Sequence, residues 1–334
     1  MAIGGPVLRS RILGTGHYLP AHVLTNAELS KRVETSDEWI SGRTGIRQRH
    51  IVAPEEATSD MATHAARHAL EAAGVSPEEV DLVIIGTISP DMQLPSTAMF
   101  VQRNLGMRPD CPGFDLAAAC AGFIYGLSVA DAFVRTGMAK YVLVIGAELL
   151  SRNVDWSDRN TCVLFGDGAG AVVVGPSDDP TCGIMSTHLF ADSSQIESLW
   201  MPVGGSRTPL TPERFADNKH LVQMAGKEVF KYAVKALTRS SQIAIEANGM
   251  TPDQVDWLIP HQANMRIIEA VLLRSGIPKE RCFVNIERTA NTSSASVPIA
   301  LDEAVRTGRV QRGQNVVMCA LGGGFAWGST LVRW

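Results

Sequence analysis

Residues 69–84 read ALEAAGVSPEEVDLVI and residues 244–259 read AIEANGMTPDQVDWLI. Eight of these sixteen positions are identical without a gap, at an offset of 175 in a chain of 334 residues. Both copies carry the same punctuation: an alanine-rich helical run, a glycine placed to cap it, a Ser/Thr-Pro turn, and an apolar run suited to a buried strand. A repeat at about half the chain length points to two related α/β units. Pro176-Ser-Asp-Asp-Pro180 breaks the pattern and divides the chain into residues 1–178 and 179–334. Halves packed about a pseudo-twofold axis bring matching loops to one place. There the first half carries Gly86-Thr87-Ile88 and the second His261-Gln262-Ala263-Asn264.

Other elements follow from local pattern. Residues 7–16 predict a strand ending at Gly14-Thr15-Gly16, Asn26 caps a helix over 27–33, and Ser36-Asp37-Glu38-Trp39 opens another. Leu82 to Ile88 and Tyr141 to Gly146 read as strands buried on both faces. Residues 59–73 are helical. His64 and His68 stand four apart there, with no intervening Glu and no third ligand, so they read as surface histidines and not a metal site. Gly166 to Gly175 is a turn leading into a strand, whereas a dinucleotide-binding loop follows a strand and opens a helix. The loop Gly42 to Arg49 holds three arginines beside Trp39. It is either a solvated charged face or a clamp for the phosphates and adenine of a nucleotide-bearing ligand.

Composition narrows the function classes. Apolar residues make up 45% and charged residues 19%, as in a globular protein with a large core. The net charge of −4 argues against nucleic acid or an anionic membrane as the main partner. Six scattered cysteines without a C-x-x-C pair are neither a disulfide framework nor a structural zinc site. The first residues lack the apolar core of a secretory signal, and no apolar run is long enough to span a bilayer. The chain therefore reads as cytoplasmic and reduced.

Four segments carry the candidate chemistry. The run Phe114 to Ala119 delivers Cys120 to a change of period, after which Phe123, Leu127, Ala130 and Val134 recur at helical spacing. Cys120 then lies near the first turn of a helix, where free N–H groups and the macrodipole favour a thiolate. Its neighbours are alanine and glycine, which leaves the sulfur open to a bulky substrate; a buried core thiol is the alternative. His261 ends a buried strand, where open α/β sheets place ligands, or else it is a satisfied core histidine. Asn291 sits in Thr289-Ala-Asn-Thr-Ser-Ser-Ala-Ser296, which is either functional or a turn. Gly322-Gly323-Gly324 follows the strand Val316–Ala320 and either points backbone N–H groups at an oxyanion or forms a tight turn.

Taken together, D-x-A-A-A-C-A-G-F around Cys120, P-H-Q-A-N around His261, N-T-S-S-A-S from Asn291 and the terminal G-G-G-F-x-W-G-S resemble β-ketoacyl-acyl carrier protein synthase III. T-S-D-E-W-I-x-x-R-T-G-I-R from Thr35 and F-G-D-G-A-G-A from Phe165 are similar to that family as well, and the match runs from about residue 10 to the end. The resemblance implies a thiolase-like, five-layered α-β-α-β-α fold and a homodimer. It implies a decarboxylative condensation of an acyl-CoA primer with malonyl-acyl carrier protein, through an acyl-Cys120 thioester and without a metal or other cofactor. His261 and Asn291 would bind the malonyl thioester carbonyl, and the N–H groups of Cys120 and Gly323 the oxyanion. Thr35, Trp39, Arg43, Arg159, Phe230, Ala263 and Asn264 would bind CoA. Lys231, Arg266 and Arg274 would dock the acidic carrier protein; for these three, ordinary solvated charge is an equal alternative.

Four positions depart from the commonest family pattern. Leu94 stands where many members place a phenylalanine that reaches the partner subunit's acyl pocket, which implies a roomier pocket. Leu321 replaces a frequent phenylalanine next to the glycine loop. Cys319 stands in place of a glutamate, and Asn160 in place of a glycine. A cysteine acyltransferase or thioesterase, with water or an amine as acceptor, and a non-catalytic acyl-binding module are the competing classes.

Overall fold

The structure is a computed structural model and describes residues 9–334. The first two residues of the strand expected over 7–16 and most of the amino-terminal stretch read for targeting lie outside the described residues.

The first sheet contains β1 (Ser10–Tyr18), β2 (Leu82–Gly86), β3 (Gly113–Leu116), β4 (Val142–Glu148) and β5 (Gly168–Pro176), in the order β1-β5-β4-β2-β3. The second contains β6 (Gly183–Ala191), β7 (Trp257–Pro260), β8 (Asn315–Gly322) and β9 (Ala326–Arg333), in the order β6-β9-β8-β7. The two orders superpose. In each, two antiparallel pairings lead to a parallel one, β4 with β2 and β8 with β7. Beyond β2 the first sheet adds β3 in parallel. Beyond β7 the second keeps only a single parallel bridge, Leu258 to Cys282.

The repeat read from sequence has the same local structure in both copies. After α1 (Asp37–Thr44), helix α2 (Thr58–Ala73) is closed by Gly74 and α5 (Gly226–Ala247) ends before Gly249, both glycines at φ 65°. The same turn follows in each copy, with Ser76 N–H donating to Glu79 Oε2 and Thr251 N–H to Gln254 Oε1, both at 2.9 Å. Asp81 N–H then reaches Tyr141 O at 2.9 Å, and Asp256 N–H reaches Asn315 O at 3.0 Å.

Strand alternation sets the layers. Val83, Ile85, Leu143, Ile145 and Val173 pack outward on α2 and α3 (Thr97–Leu105). Ile84, Val144, Val172 and Val174 face inward on α4 (Gly122–Arg135) and α7 (Ser296–Arg306), and Ile259, Val316, Met318 and Val332 of the second sheet meet the same helices. The opposite face of that sheet, with Val317, Cys319 and Leu331, packs on α5 and α6 (Met265–Ser275). The result is α-β-α-β-α, with each fully buried Val, Leu or Ile contributing roughly 1.5–3 kcal/mol. The two central helices start at the same end of the sandwich as the strand termini of β2 and β7.

Some local readings change. Asn26 is not a cap: Thr25 caps a four-residue helix, Asn26–Leu29, and the buried Asn26 amide donates to Asp37 Oδ1 at 2.8 Å and Ile46 O at 2.7 Å. Arg49 is neither solvated nor a clamp. It is fully buried and donates to Leu24 O, Asn26 Oδ1 and Val163 O, and burial pulls its pKa down to about 10. Arg47 is exposed and spent on Glu287 at 2.9 Å. His64 is exposed and stacks on Tyr18, with ring centroids 4.7 Å apart.

Candidate active site

Cys120 lies in a 3-10 turn, Ala119–Ala121, between β3 and α4. Ala119 has φ 45°, a left-handed conformation that turns the chain sharply into the helix. Gly322 at the end of β8 lies against this turn, where a Cβ would come within 2.4 Å of Cys120 N. His261 follows β7, and its N–H donates to Cys319 O at 2.7 Å. Its Nδ1 lies 2.6 Å from Ser296 Oγ, which also accepts the Gln262 N–H at 3.4 Å. Asn291 is clamped by the strand segment at Phe165: Asn291 N–H donates to Leu164 O at 2.9 Å and Gly166 N–H to Asn291 O at 3.1 Å. Its side-chain Oδ1 accepts Ser293 N–H at 2.9 Å, which leaves the amide NH2 for the cavity.

Cys120, His261 and Asn291 line one cavity of about 730 Å³. Trp39, Arg43, Arg159, Phe230, Ala263, Asn264 and Arg266, all singled out from sequence, line it as well. Near its mouth the Trp39 ring carries the Arg43 guanidinium at 4.9 Å and that of Arg159 at 5.1 Å. Asn264 has a second task, accepting the Arg266 N–H at 2.9 Å as the cap of α6. Thr35, Lys231 and Arg274 are not among the lining residues; Thr35 follows Glu34, whose carbonyl holds Arg159 at 3.1 Å. Lys227 lines the cavity and escaped the sequence reading, having no motif to mark it.

A second chamber of about 240 Å³ opens on the other side of Cys120. Gly323 lies here with Ile88, Leu150, Leu199, Trp200 and Met201. Leu94 is not part of it and is 84% exposed on the single chain.

The electrostatics overturn one expectation. A thiolate is not favoured at Cys120: burial pushes the thiol up to about 12, with the Ser293 hydroxyl opposing that rise and the Glu148 carboxyl adding to it. The same burial holds the His261 pKa down at about 3, so the imidazole is neutral across the physiological range.

Comparison with known proteins gives this arrangement a family. Profiles of 3-oxoacyl-[acyl-carrier-protein] synthase III match residues 114–193 and, for its C-terminal part, 245–334. The β-ketoacyl-[acyl-carrier-protein] synthase III of Xanthomonas campestris pv. campestris is 57% identical over 97% of this chain and 98% of its own length. The chain belongs to the synthase III family. The synthase III of Methylococcus capsulatus is 52% identical over 97% of this chain and 99% of its own. The synthase III structure from Aquifex aeolicus superposes with a TM-score of 0.90 at 49% identity, covering 97% of this chain and all of that one. The priming β-ketosynthase of the R1128 polyketide pathway superposes at 0.91 with 37% identity, covering 98% of this chain and 97% of that one. The thiolase-like fold expected from the motifs is thereby borne out, and with it the class of condensing acyltransferase.

Proposed function

We propose that this synthase III joins an acyl-CoA primer to malonyl-acyl carrier protein with loss of CO2, and so begins fatty acid synthesis. The observation that carries the site assignment is the convergence of Cys120, His261 and Asn291 on one cavity with the Trp39–Arg43–Arg159 stack near its mouth. The adenine and phosphates of CoA lie against that stack, and the pantetheine runs inward past Phe230 and Asn264 to the sulfur. The acyl chain continues into the apolar chamber, where Gly323 and Cys120 offer N–H groups to the oxyanion.

In the second half-reaction His261 and Asn291 act as hydrogen-bond donors. A neutral imidazole donates from Nε2 when Nδ1 accepts, and Ser296 can supply that proton because the Gln262 N–H occupies one of its lone pairs. Asn291 donates from its NH2 because Oδ1 is held by Ser293. Two neutral donors on the malonyl thioester carbonyl stabilise the enolate left when CO2 departs; the enolate then attacks the acyl-Cys120 carbon. The reaction needs no cofactor beyond its two thioester substrates.

The exposed Leu94 and Met92 favour a homodimer in which this segment approaches the partner's chamber, and Lys231, Arg266 and Arg274 face the carrier protein. Among the described residues no helix is long and apolar enough to cross a membrane, in keeping with a cytoplasmic site of action. The test is a panel of acyl-CoA primers with malonyl-carrier protein. Intact mass should show one acyl group on Cys120, absent in Cys120→Ser, and the 3-oxoacyl product should appear with CO2. Acylation at another residue would refute the assignment.

A further inference from the structure

Cys120, Phe165 and Leu199 line both the large cavity and the inner chamber, so the sulfur stands where one space passes into the other. Ala119, Gly323 and Gly324 present nothing longer than a methyl group to the chamber. Gly323 cannot be larger, since a Cβ there would come within 2.4 Å of Leu199 O. The rest of the wall is bulky and apolar: Ile88, Leu150, Ile196, Trp200, Met201 and Val222.

Much of that wall belongs to the stretch between β6 and α5, and this stretch is tied down. Leu199–Trp200 pairs antiparallel with Gln223–Met224. Val222 N–H donates to Asn153 O at 2.9 Å and Ala225 N–H to Ser198 O at 2.8 Å. The chamber is therefore a formed space of set size. Among the described residues no charged side chain lines it. Its serine, Ser293, gives its hydroxyl proton to Glu148 Oε1 at 3.0 Å and has none left for a ligand.

An acetyl group fills little of this space. At about 30 Å³ for a group the size of water or a methylene, the chamber's 240 Å³ takes roughly eight of them. We propose that the chamber makes this synthase select a medium-chain hydrocarbon primer, an acyl-CoA of about six to eight carbons, over acetyl-CoA and over acyl groups that end in a carboxylate. The inference rests on the reading in which Cys120 is acylated and the acyl chain enters this chamber.

Each methylene that leaves water for an apolar wall favours the bound state by about 4-fold. A contact kept from the complex through the transition state raises kcat/KM by the same factor. The gain ends where the wall ends. On the single chain Ile196 and Met201 reach the surface, 48% and 36% exposed, so carbons past about the eighth leave the chamber. A terminal carboxylate would shed its water with no partner in the wall, which costs more than the added contacts return.

The test measures kcat/KM for Cys120 acylation by intact mass, using acetyl-, hexanoyl-, octanoyl- and dodecanoyl-CoA, together with adipoyl-CoA, a hexanoyl chain ending in a carboxylate. The value should climb about 4-fold per methylene as far as octanoyl, which puts hexanoyl roughly 250-fold above acetyl. Dodecanoyl should bring no further gain, and adipoyl should fall about 10²-fold or more below hexanoyl. Val222→Phe adds about four carbon-sized groups to the wall and should lower the octanoyl-to-acetyl ratio by about 5- to 150-fold. Acetyl equal to or better than hexanoyl, adipoyl equal to hexanoyl, or a steady climb to dodecanoyl overturns the proposal, and so does an unchanged ratio in folded Val222→Phe. The wild-type series decides the matter even if that variant does not fold. Failure of the underlying reading is separately visible, as acylation of Cys120 by no primer at all.

Discussion

Removing one oxygen should separate the two half-reactions. Ser296 and His261 are 1% and 2% exposed, and Ser296 Oγ lies 2.6 Å from Nδ1. Ser296→Ala deletes that oxygen without adding bulk, so the backbone of α7 has no reason to move. Nδ1 is then buried without a partner, at a cost of about 1–3 kcal/mol, and the ring loses what fixes its proton on Nε2. If that fixed donor serves the enolate, the same free energy reappears in the barrier for CO2 release, a fall of about 5- to 150-fold. Acylation of Cys120 does not use the donor and should keep its rate. Rapid-quench mass spectrometry follows the first step, and release of labelled CO2 from malonyl-carrier protein follows the second. Equal losses in both steps, or a loss confined to acylation, would refute the reasoning.

Three further outcomes follow from particular contacts. Trp39→Ala removes a ring shared by two guanidiniums, so KM for acyl-CoA should rise by about 5- to 30-fold while a truncated acyl-cysteamine primer is used as before. Gly322→Ala puts a methyl group 2.4 Å from Cys120 N and 2.6 Å from Ala119 Cβ. It should lower thermal stability by about 1–3 kcal/mol and abolish acylation, as read by calorimetry and intact mass. His261 should make stability fall with acid: the unfolded chain takes up its proton near pH 6.5 but the folded chain only near 3. Between those values the unfolded state binds the extra proton, so the loss approaches about 1.4 kcal/mol per pH unit. Urea unfolding should show this slope reduced in His261→Gln.

How much of this was legible beforehand depends on whether the relevant cause is local. The caps at Gly74 and Gly249 and the Ser76 and Thr251 turns are local, and the sequence alone shows the duplicated architecture through them. Cys120, His261 and Asn291 stand in motifs that a family resemblance can carry. The misreadings have a different physical origin. Arg49 looked like its exposed neighbours because a charge count cannot tell which side of a strand faces the core. Asn26 looked like a cap because its type suits that position, yet Thr25 one residue earlier completes the reciprocal pair with Glu28. The state of the Cys120 thiol was misjudged because sequence reveals a helix start but not the loss of water around it. The inner chamber was invisible for the same reason: Ile88, Leu150, Leu199 and Gly323 come from distant segments, and only the folded chain gathers them.

The duplication also explains how the space around Cys120 is cleared. Each half builds the same elbow, a 3-10 turn whose first residue is left-handed and which opens a central helix: Ala119 at φ 45° before α4, and Ser293 at φ 49° before α7. The pairing of Tyr141 with Asn315 carries Glu148 onto Gly322, and the pairing of Asp81 with Asp256 carries Gly86 onto His261. At three of these four places one copy is glycine or alanine. Cys120 matches Ser294, whose hydroxyl is spent on Gly86 O at 2.6 Å. Ser293 matches Ala119, Glu148 matches Gly322, and His261 matches Gly86. Neither glycine could be larger: a Cβ would come within 2.4 Å of Cys120 N at Gly322 and within 2.7 Å of Gly122 C at Gly86. The symmetric frame brings the two elbows together, and small residues in alternate copies clear space beside the cavity that Cys120, His261 and Asn291 line.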